Sequence, residues 1–89
     1  MGKLTIFKYV VPLDGVIEIQ MRKNAHVLSV QTQEEIPCIW AIVDPEAEME
    51  IRKFYLCGTG HPIDIDIPQH RYIGTFQLVE GGFIGHLFE

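Results

Sequence analysis

One run constrains the fold more than any other: Ile36-Pro37-Cys38-Ile39-Trp40-Ala41-Ile42-Val43-Asp44-Pro45. Between its prolines, residues 38–43 carry no charged or polar side chain and include the chain's single tryptophan. A strand with one wet face alternates apolar and polar residues. Here both alternate sets, Cys38/Trp40/Ile42 and Ile39/Ala41/Val43, are apolar. That predicts a central strand covered on both faces, with Trp40 in the core. Asp44-Pro45 ends it, because proline cannot donate to a sheet ladder. A buried helix is the competing reading, but the run is short and rich in β-branched and aromatic residues, which favours a strand.

The rest of the chain supplies partners for that strand. Residues 4–12 read as a first strand, with Thr5, Phe7, Tyr9 and Val11 toward the core. Pro12-Leu13-Asp14-Gly15 is a turn, in which Asp-Gly supplies a residue that tolerates positive φ. Residues 16–21 alternate with Ile17, Ile19 and Met21 inward, so the two segments together predict a hairpin. After the turn Arg22-Lys23-Asn24, residues 25–33 form a third strand, with Leu28 and Val30 on one face and Val27, Ser29 and Gln31 on the other. The polar link 32–35 is too short for a parallel crossover, which places this strand antiparallel to the central one.

Asp44 could cap a helix with Pro45 in its first turn, but the segment to Glu50 is too short for more than one turn or a loop. Residues 51–57 return to strand. The run Ile63-Asp64-Ile65-Asp66-Ile67-Pro68 alternates strictly and predicts a short edge strand with wet carboxylates. Residues 71–79 and 83–88 form a closing hairpin about Glu80-Gly81-Gly82. About seven short strands without a convincing helix predict an all-β fold, a small antiparallel sandwich or partly open barrel. It occupies residues 1–89 as a single domain.

Composition narrows the function classes. Of the 89 residues, 47% are hydrophobic, which is rich for a monomer with a fully wet surface. Part of that apolar surface is expected at a subunit or partner interface, and a homo-oligomer is as compatible with it as a monomer. A net charge of −5 argues against general nucleic-acid binding, which needs a basic face. Cys38 and Cys57 match no disulfide framework or metal knuckle and read as buried free thiols. No apolar run reaches the roughly 20 residues of a membrane span, and no signal-peptide pattern opens the chain. No membrane association and a cytoplasmic address are the expectations.

Few residues point to chemistry. The loop Gly58-Thr59-Gly60-His61-Pro62 is the strongest candidate: its glycines allow close backbone approach to a ligand, and Thr59 and His61 add donors. It lacks the Gly-Lys-Ser/Thr of a phosphate-binding loop, and ordinary turn chemistry is the favoured explanation of it. If folding brought Arg52 or Arg71 beside this loop, a small phosphate ligand could be clamped there, with Trp40, Tyr55 or Tyr72 as a stacking face. Arg52 and Lys53 are consecutive on a strand and face opposite ways, so they do not form one patch. His61, Asp64, Asp66 and His70 are of metal-ligating type, but solvated edge carboxylates account for the acids. No metal and no cofactor is therefore expected.

His86 shares a face with Ile84 and Phe88 and reads as a hydrogen-bonded, partly buried histidine. His26 lies with Leu28 and Val30 near a strand start. Ser29, the only serine, lacks an elbow-like setting, and a Cys57/His61 pairing has no third member. The expectation is a protein that is not an enzyme.

The words Ile36-Pro37-Cys38-Ile39-Trp40-Ala41-Ile42-Val43-Asp44-Pro45, Gly58-Thr59-Gly60-His61-Pro62-Ile63, Tyr72-Ile73-Gly74-Thr75-Phe76-Gln77 and His86-Leu87-Phe88-Glu89 together resemble a family of short phage and prophage proteins, a domain of unknown function. The resemblance covers nearly the whole chain and transfers no catalytic or binding residue. It implies a small accessory protein made in a host bacterial cytoplasm. Such a protein would act by binding, as an inhibitor of a host defence protein. The alternatives are an oligomeric sponge that sequesters a small nucleotide signal, for which the ligand-binding residues would be Gly58, Thr59, Gly60, His61, Arg52, Arg71 and Tyr72, or a virion-associated structural protein.

Overall fold

The computed structural model describes residues 3–89. Seven strands are present: β1 (Thr5–Val10), β2 (Val16–Arg22), β3 (His26–Gln33), β4 (Ile36–Val43), β5 (Met49–Gly58), β6 (Tyr72–Leu78) and β7 (Phe83–Phe88). The only other regular piece among the described residues is a single 3-10 turn, Ile67–Gln69. Two antiparallel sheets form, ordered β1-β4-β3 and β2-β5-β7-β6. The all-β sandwich predicted from the alternation is the fold observed.

The apolar run becomes β4, the middle strand of its sheet. Ile39, Ala41 and Val43 are buried against the other sheet. The opposite set behaves differently: Cys38 is buried, while Trp40 and Ile42 are only half-buried. The expectation of cover on both faces, with Trp40 in the core, is corrected accordingly. Among the described residues, no strand or turn covers the outer side of β4. Lys8, opposite Trp40, reaches across to Gln33 Oε1 at 2.7 Å. Cys38 lies in register between Val10 and Gln31.

The hairpin expected between β1 and β2 does not form. β1 pairs with β4 and β2 with β5, and the chain between them passes from one sheet to the other. Val11 N donates to Pro37 O (2.9 Å) and Gly15 O accepts from Leu56 N (3.0 Å), so each strand end is held by its own sheet. Both arrangements bury the same faces: Ile17, Ile19, Met21 and Val11 reach the core, with Phe7 and Tyr9 packed against it. Alternation selects the buried face but not the partner strand.

β3 departs from simple alternation. A bulge between Val27 and Ser29 pushes Leu28 outward and lets both Val27 and Val30 enter the core, because the extra residue shifts the parity of everything after it. β3 and β4 pair antiparallel, as their short link requires, through Glu34 and Glu35, both at positive φ (51° and 65°). The β6–β7 hairpin also forms. Its turn holds Val79 at φ 52°, an uncommon conformation for a β-branched residue. The Val79 amide donates to Glu35 Oε1 at 2.5 Å, so the two turns brace each other.

The core contains no buried polar or charged side chain among the described residues. Phe54, Ile17, Met21, Ile39 and Leu87 fill its centre. Gly85 on β7 is there because a side chain would not fit: a Cβ would lie 2.8 Å from Phe76 Cζ and 2.9 Å from Leu56 Cδ1. Asp44 Oδ1 accepts from Glu46 N (3.0 Å) and Asp44 O from Ala47 N (3.0 Å), giving a turn, not a helix, between β4 and β5. Cys57, expected to be buried, is half-buried.

Candidate functional site

Strand order forces the chain across one face of the molecule. β5 and β6 lie on either side of β7 and both run antiparallel to it, so they are parallel to each other. The link 59–71 must therefore return along the sheet, and Pro62, Asp64 and Ile65 line one recess with Tyr55, Leu56 and Cys57 of β5. This is why the Ile63–Pro68 run is not the edge strand its alternation predicts: it is extended chain in transit, ending in the 3-10 turn. His70 in this strap stacks edge-on against Tyr55 of β5, ring centroids 4.8 Å apart.

At the strap's start, His61 N donates to Gly58 O (3.1 Å), closing a turn in which Gly60 takes φ +85°. Positive φ at the third turn position favours glycine. The His61 ring packs over Gly58, where a Cβ would lie 2.7 Å from Nδ1 and would displace the exposed ring. Thr59 N donates to Ile84 O (3.2 Å) on β7. Its hydroxyl then sits 2.7 Å from His86 Nε2. The other ring nitrogen, Nδ1, is 3.0 Å from Thr75 Oγ1 on β6, and that hydroxyl is hydrogen-bonded to the Tyr72 hydroxyl. Four side chains from the strap, β7 and β6 thus form one relay: Thr59, His86, Thr75, Tyr72.

The relay edges a pocket of about 330 Å³ lined by residues 57–61, Ile63, Tyr72, His86 and Phe88. Tyr72 and Phe88 form its aromatic wall, with ring centroids 5.5 Å apart. A neutral imidazole donates from one nitrogen and accepts at the other, while a hydroxyl does both, so the relay can present either polarity. The group that orients His86 is the Thr75 hydroxyl and not the carboxylate of a Ser-His-Asp arrangement.

Of the residues singled out in the sequence, Gly58, Thr59, Gly60, His61 and Tyr72 gather at this pocket. Arg52 and Arg71 do not line it. Arg52 pairs through Nε and Nη2 with both carboxylate oxygens of Glu89, Nη2 to Oε1 at 2.9 Å, and donates from Nη1 to Ala25 O at 2.9 Å. Glu50 Oε2 lies 3.6 Å away. The hydrogen bond to Glu89 raises the guanidinium's pKa above its ordinary value against the opposing effect of desolvation, with Glu89 and Glu50 charge adding to the rise. Arg71 donates from Nη2 to Val27 O at 2.8 Å. Both arginines therefore staple the four-stranded half to the region around β3.

The residues of metal-ligating type stay apart. His70 Nδ1 bonds Asp66 O (2.7 Å), and Asp64 and Asp66 are exposed on the strap. Among the described residues no group of three or more His, Cys, Asp or Glu could hold a metal ion. His86 is the hydrogen-bonded, partly buried histidine that the sequence reading expected; what that reading missed is Thr75 as its partner and Phe88 as a wall of the pocket. Their parity on β6 and β7 was visible, but their meeting with Thr59 depends on β7 lying between β5 and β6.

A family model described as "Domain of unknown function (DUF7352)" matches residues 2–89. The chain belongs to this family. No curated protein and no solved structure matches it.

This DUF7352 chain has a second notable surface, on the other side of the sandwich. The outer face of β1-β4-β3 presents Ile6 opposite Ile42, Val10 opposite Cys38, and Trp40 between Lys8 and Ser29. Ile6, Val10, Leu28, Ile36 and the preceding Leu4 are all exposed. At one end, Leu4, Ile42, His26 and the turn around Ala47 frame a depression of about 480 Å³. Lys8, Ser29 and Gln31 lie among these apolar side chains on the same face.

Proposed function

We propose that the protein is a non-enzymatic binding module that acts by occupying a partner protein's surface through the outer face of β1-β4-β3. The observation that carries this reading is the bare apolar set around Trp40: Leu4, Ile6, Val10, Leu28 and Ile36. Trp40, half-buried between Lys8 and Ser29 with Ile42 next on its own side of β4, is of the anchor type enriched at protein interfaces, and the depression beside Leu4 and Ile42 can accept one partner side chain. The Lys8–Gln33 hydrogen bond spans from β1 to β3 and sets one polar pair within this face. The resemblance to short phage and prophage proteins supports a cytoplasmic protein of a bacterial host as the partner, with inhibition as the consequence.

The test is affinity capture from bacterial lysate with the wild-type chain and an Ile6→Lys/Leu28→Lys variant, followed by native mass spectrometry. The expected result is one host protein retained stoichiometrically by the wild type and lost with the variant. Equal retention by both proteins, or a wild-type homo-oligomer that captures nothing, would sink the reading.

A further inference from the structure

The pocket beneath the strap lies on the opposite side of the molecule from the proposed partner face, and its chemistry is independent of it. Its described lining carries no lysine, arginine, aspartate or glutamate. The two arginines that could have brought charge to it are committed elsewhere, Arg52 to Glu89 and Ala25 and Arg71 to Val27. The glycine turn is not an anion nest either. Thr59 N is used by Ile84 O and His61 N by Gly58 O, so the amides do not converge on a common point. A phosphate would find neither a cation nor a set of free N–H groups here.

What the pocket does offer is an aromatic wall, Tyr72 and Phe88, and a hydrogen-bonding edge, Thr59 and His86. Tyr72 is 55% exposed, leaving ring area uncovered for another ring to lie against. Stacking on an exposed aromatic face tolerates any base, and selectivity then comes from the edge contacts. Imidazole and hydroxyl groups in series can meet either a donor or an acceptor by a change of tautomer and hydroxyl rotation. A volume of about 330 Å³ is at the small end for ligand pockets, the size for a single ring system.

We propose that this pocket binds an uncharged heteroaromatic ring of the nucleobase type, stacked on Tyr72 and hydrogen-bonded to the Thr59–His86 edge. Any ribose or phosphate would project into solvent and add little. The strap supplies Thr59 and the sheet supplies the rest, so binding also pins the strap to β7.

The test is an NMR titration of isotope-labelled full chain with adenosine, cytidine and uridine, and with their 5′-monophosphates, at neutral pH. The expected result is saturable amide shifts confined to residues 57–61, 72–75 and 84–88 with at least one nucleoside. The matching monophosphate should bind with an affinity within about threefold. Thr59→Val and Tyr72→Ala should each weaken binding about tenfold, with unchanged spectral dispersion showing that both variants are folded. No saturable shift with any nucleoside at millimolar concentration would overturn the proposal, as would shifts centred elsewhere. A monophosphate binding about tenfold or more tightly than its nucleoside would overturn the uncharged-ring assignment. These outcomes are read separately from lysate capture, so failure here leaves the partner-face reading standing, and the reverse.

Discussion

The outer face of β1-β4-β3 is bare and apolar, whereas the outer face of β2-β5-β7-β6 is crossed by the segment 59–71 and carries an imidazole and hydroxyls. Connectivity explains the contrast. In the three-stranded sheet, β3 and β4 are joined directly through Glu34 and Glu35, and the other connections leave for the second sheet. Among the described residues, no connection therefore passes over Trp40. In the four-stranded sheet, β5 and β6 are parallel and separated by β7, so a return across the face is obligatory. One sandwich thus offers a flat surface suited to a macromolecule and a roofed recess suited to a small one. Both faces rest on the same apolar centre.

Disrupting that shared centre should erase the contrast altogether. Phe54 is fully buried between the sheets, and Phe54→Ala should cost about 3–5 kcal/mol in urea unfolding. Next in size is the staple between the halves. Arg52→Ala removes the Glu89 pairing and leaves Ala25 O without its donor, for a loss of about 2–3 kcal/mol. Because the folded pKa of Arg52 is raised, its contribution is complete below the unfolded arginine value and is lost only as pH rises through the higher folded one. Wild-type and Arg52→Ala urea curves should therefore keep the same separation from neutral to mildly alkaline pH. A gap that closes over that range would remove the guanidinium from this role.

Gly85→Ala drives a methyl into Phe76 and Leu56 and should cost about 1–3 kcal/mol. It sits next to His86, so it should also disturb the relay while leaving the β1-β4-β3 face unaltered by NMR. Thr59→Val removes one exposed hydrogen bond and should cost about 1 kcal/mol or less. The smallest stability effect belongs to Ile6→Lys on the bare face, within about 0.5 kcal/mol, although it should abolish partner capture. A large destabilisation by Ile6→Lys would mean that this face is structural, and the contrast between the two surfaces would fail.

Much of the fold was legible because period-two patterns report burial directly. Ile17, Ile19 and Met21, or Ile39, Ala41 and Val43, lie where alternation puts them. Partner choice was not legible. Val11 and Gly15 bond to different sheets, yet the Pro12–Gly15 turn is equally good chemistry for a hairpin. The bulge at Leu28 left no mark, since a β-bulge needs no special residue and simply shifts parity. Trp40 misled in a different way: an apolar residue on an uncovered sheet face is indistinguishable in sequence from one in a core. At the pocket, the Gly58–His61 turn stood out through its glycines. Its link to His86 and Thr75 did not, because three strands separated in sequence meet there only through the order β5-β7-β6. The arginines were placed by chemistry that a local reading cannot see, a carboxylate at Glu89 and carbonyls beside β3.

The position of β7 has a consequence for biogenesis. It follows every other strand in chain order, yet it lies inside its sheet, between β5 and β6. During synthesis the ribosome releases β5 long before the strand that must sit beside it, so the edge of β5 stays open until β7 arrives. Closure of the four-stranded sheet, and with it assembly of the Thr59–His86 contact, is thus a late event. A nascent chain stalled before Phe83 would lack both Leu87 from the shared core and His86 from the recess.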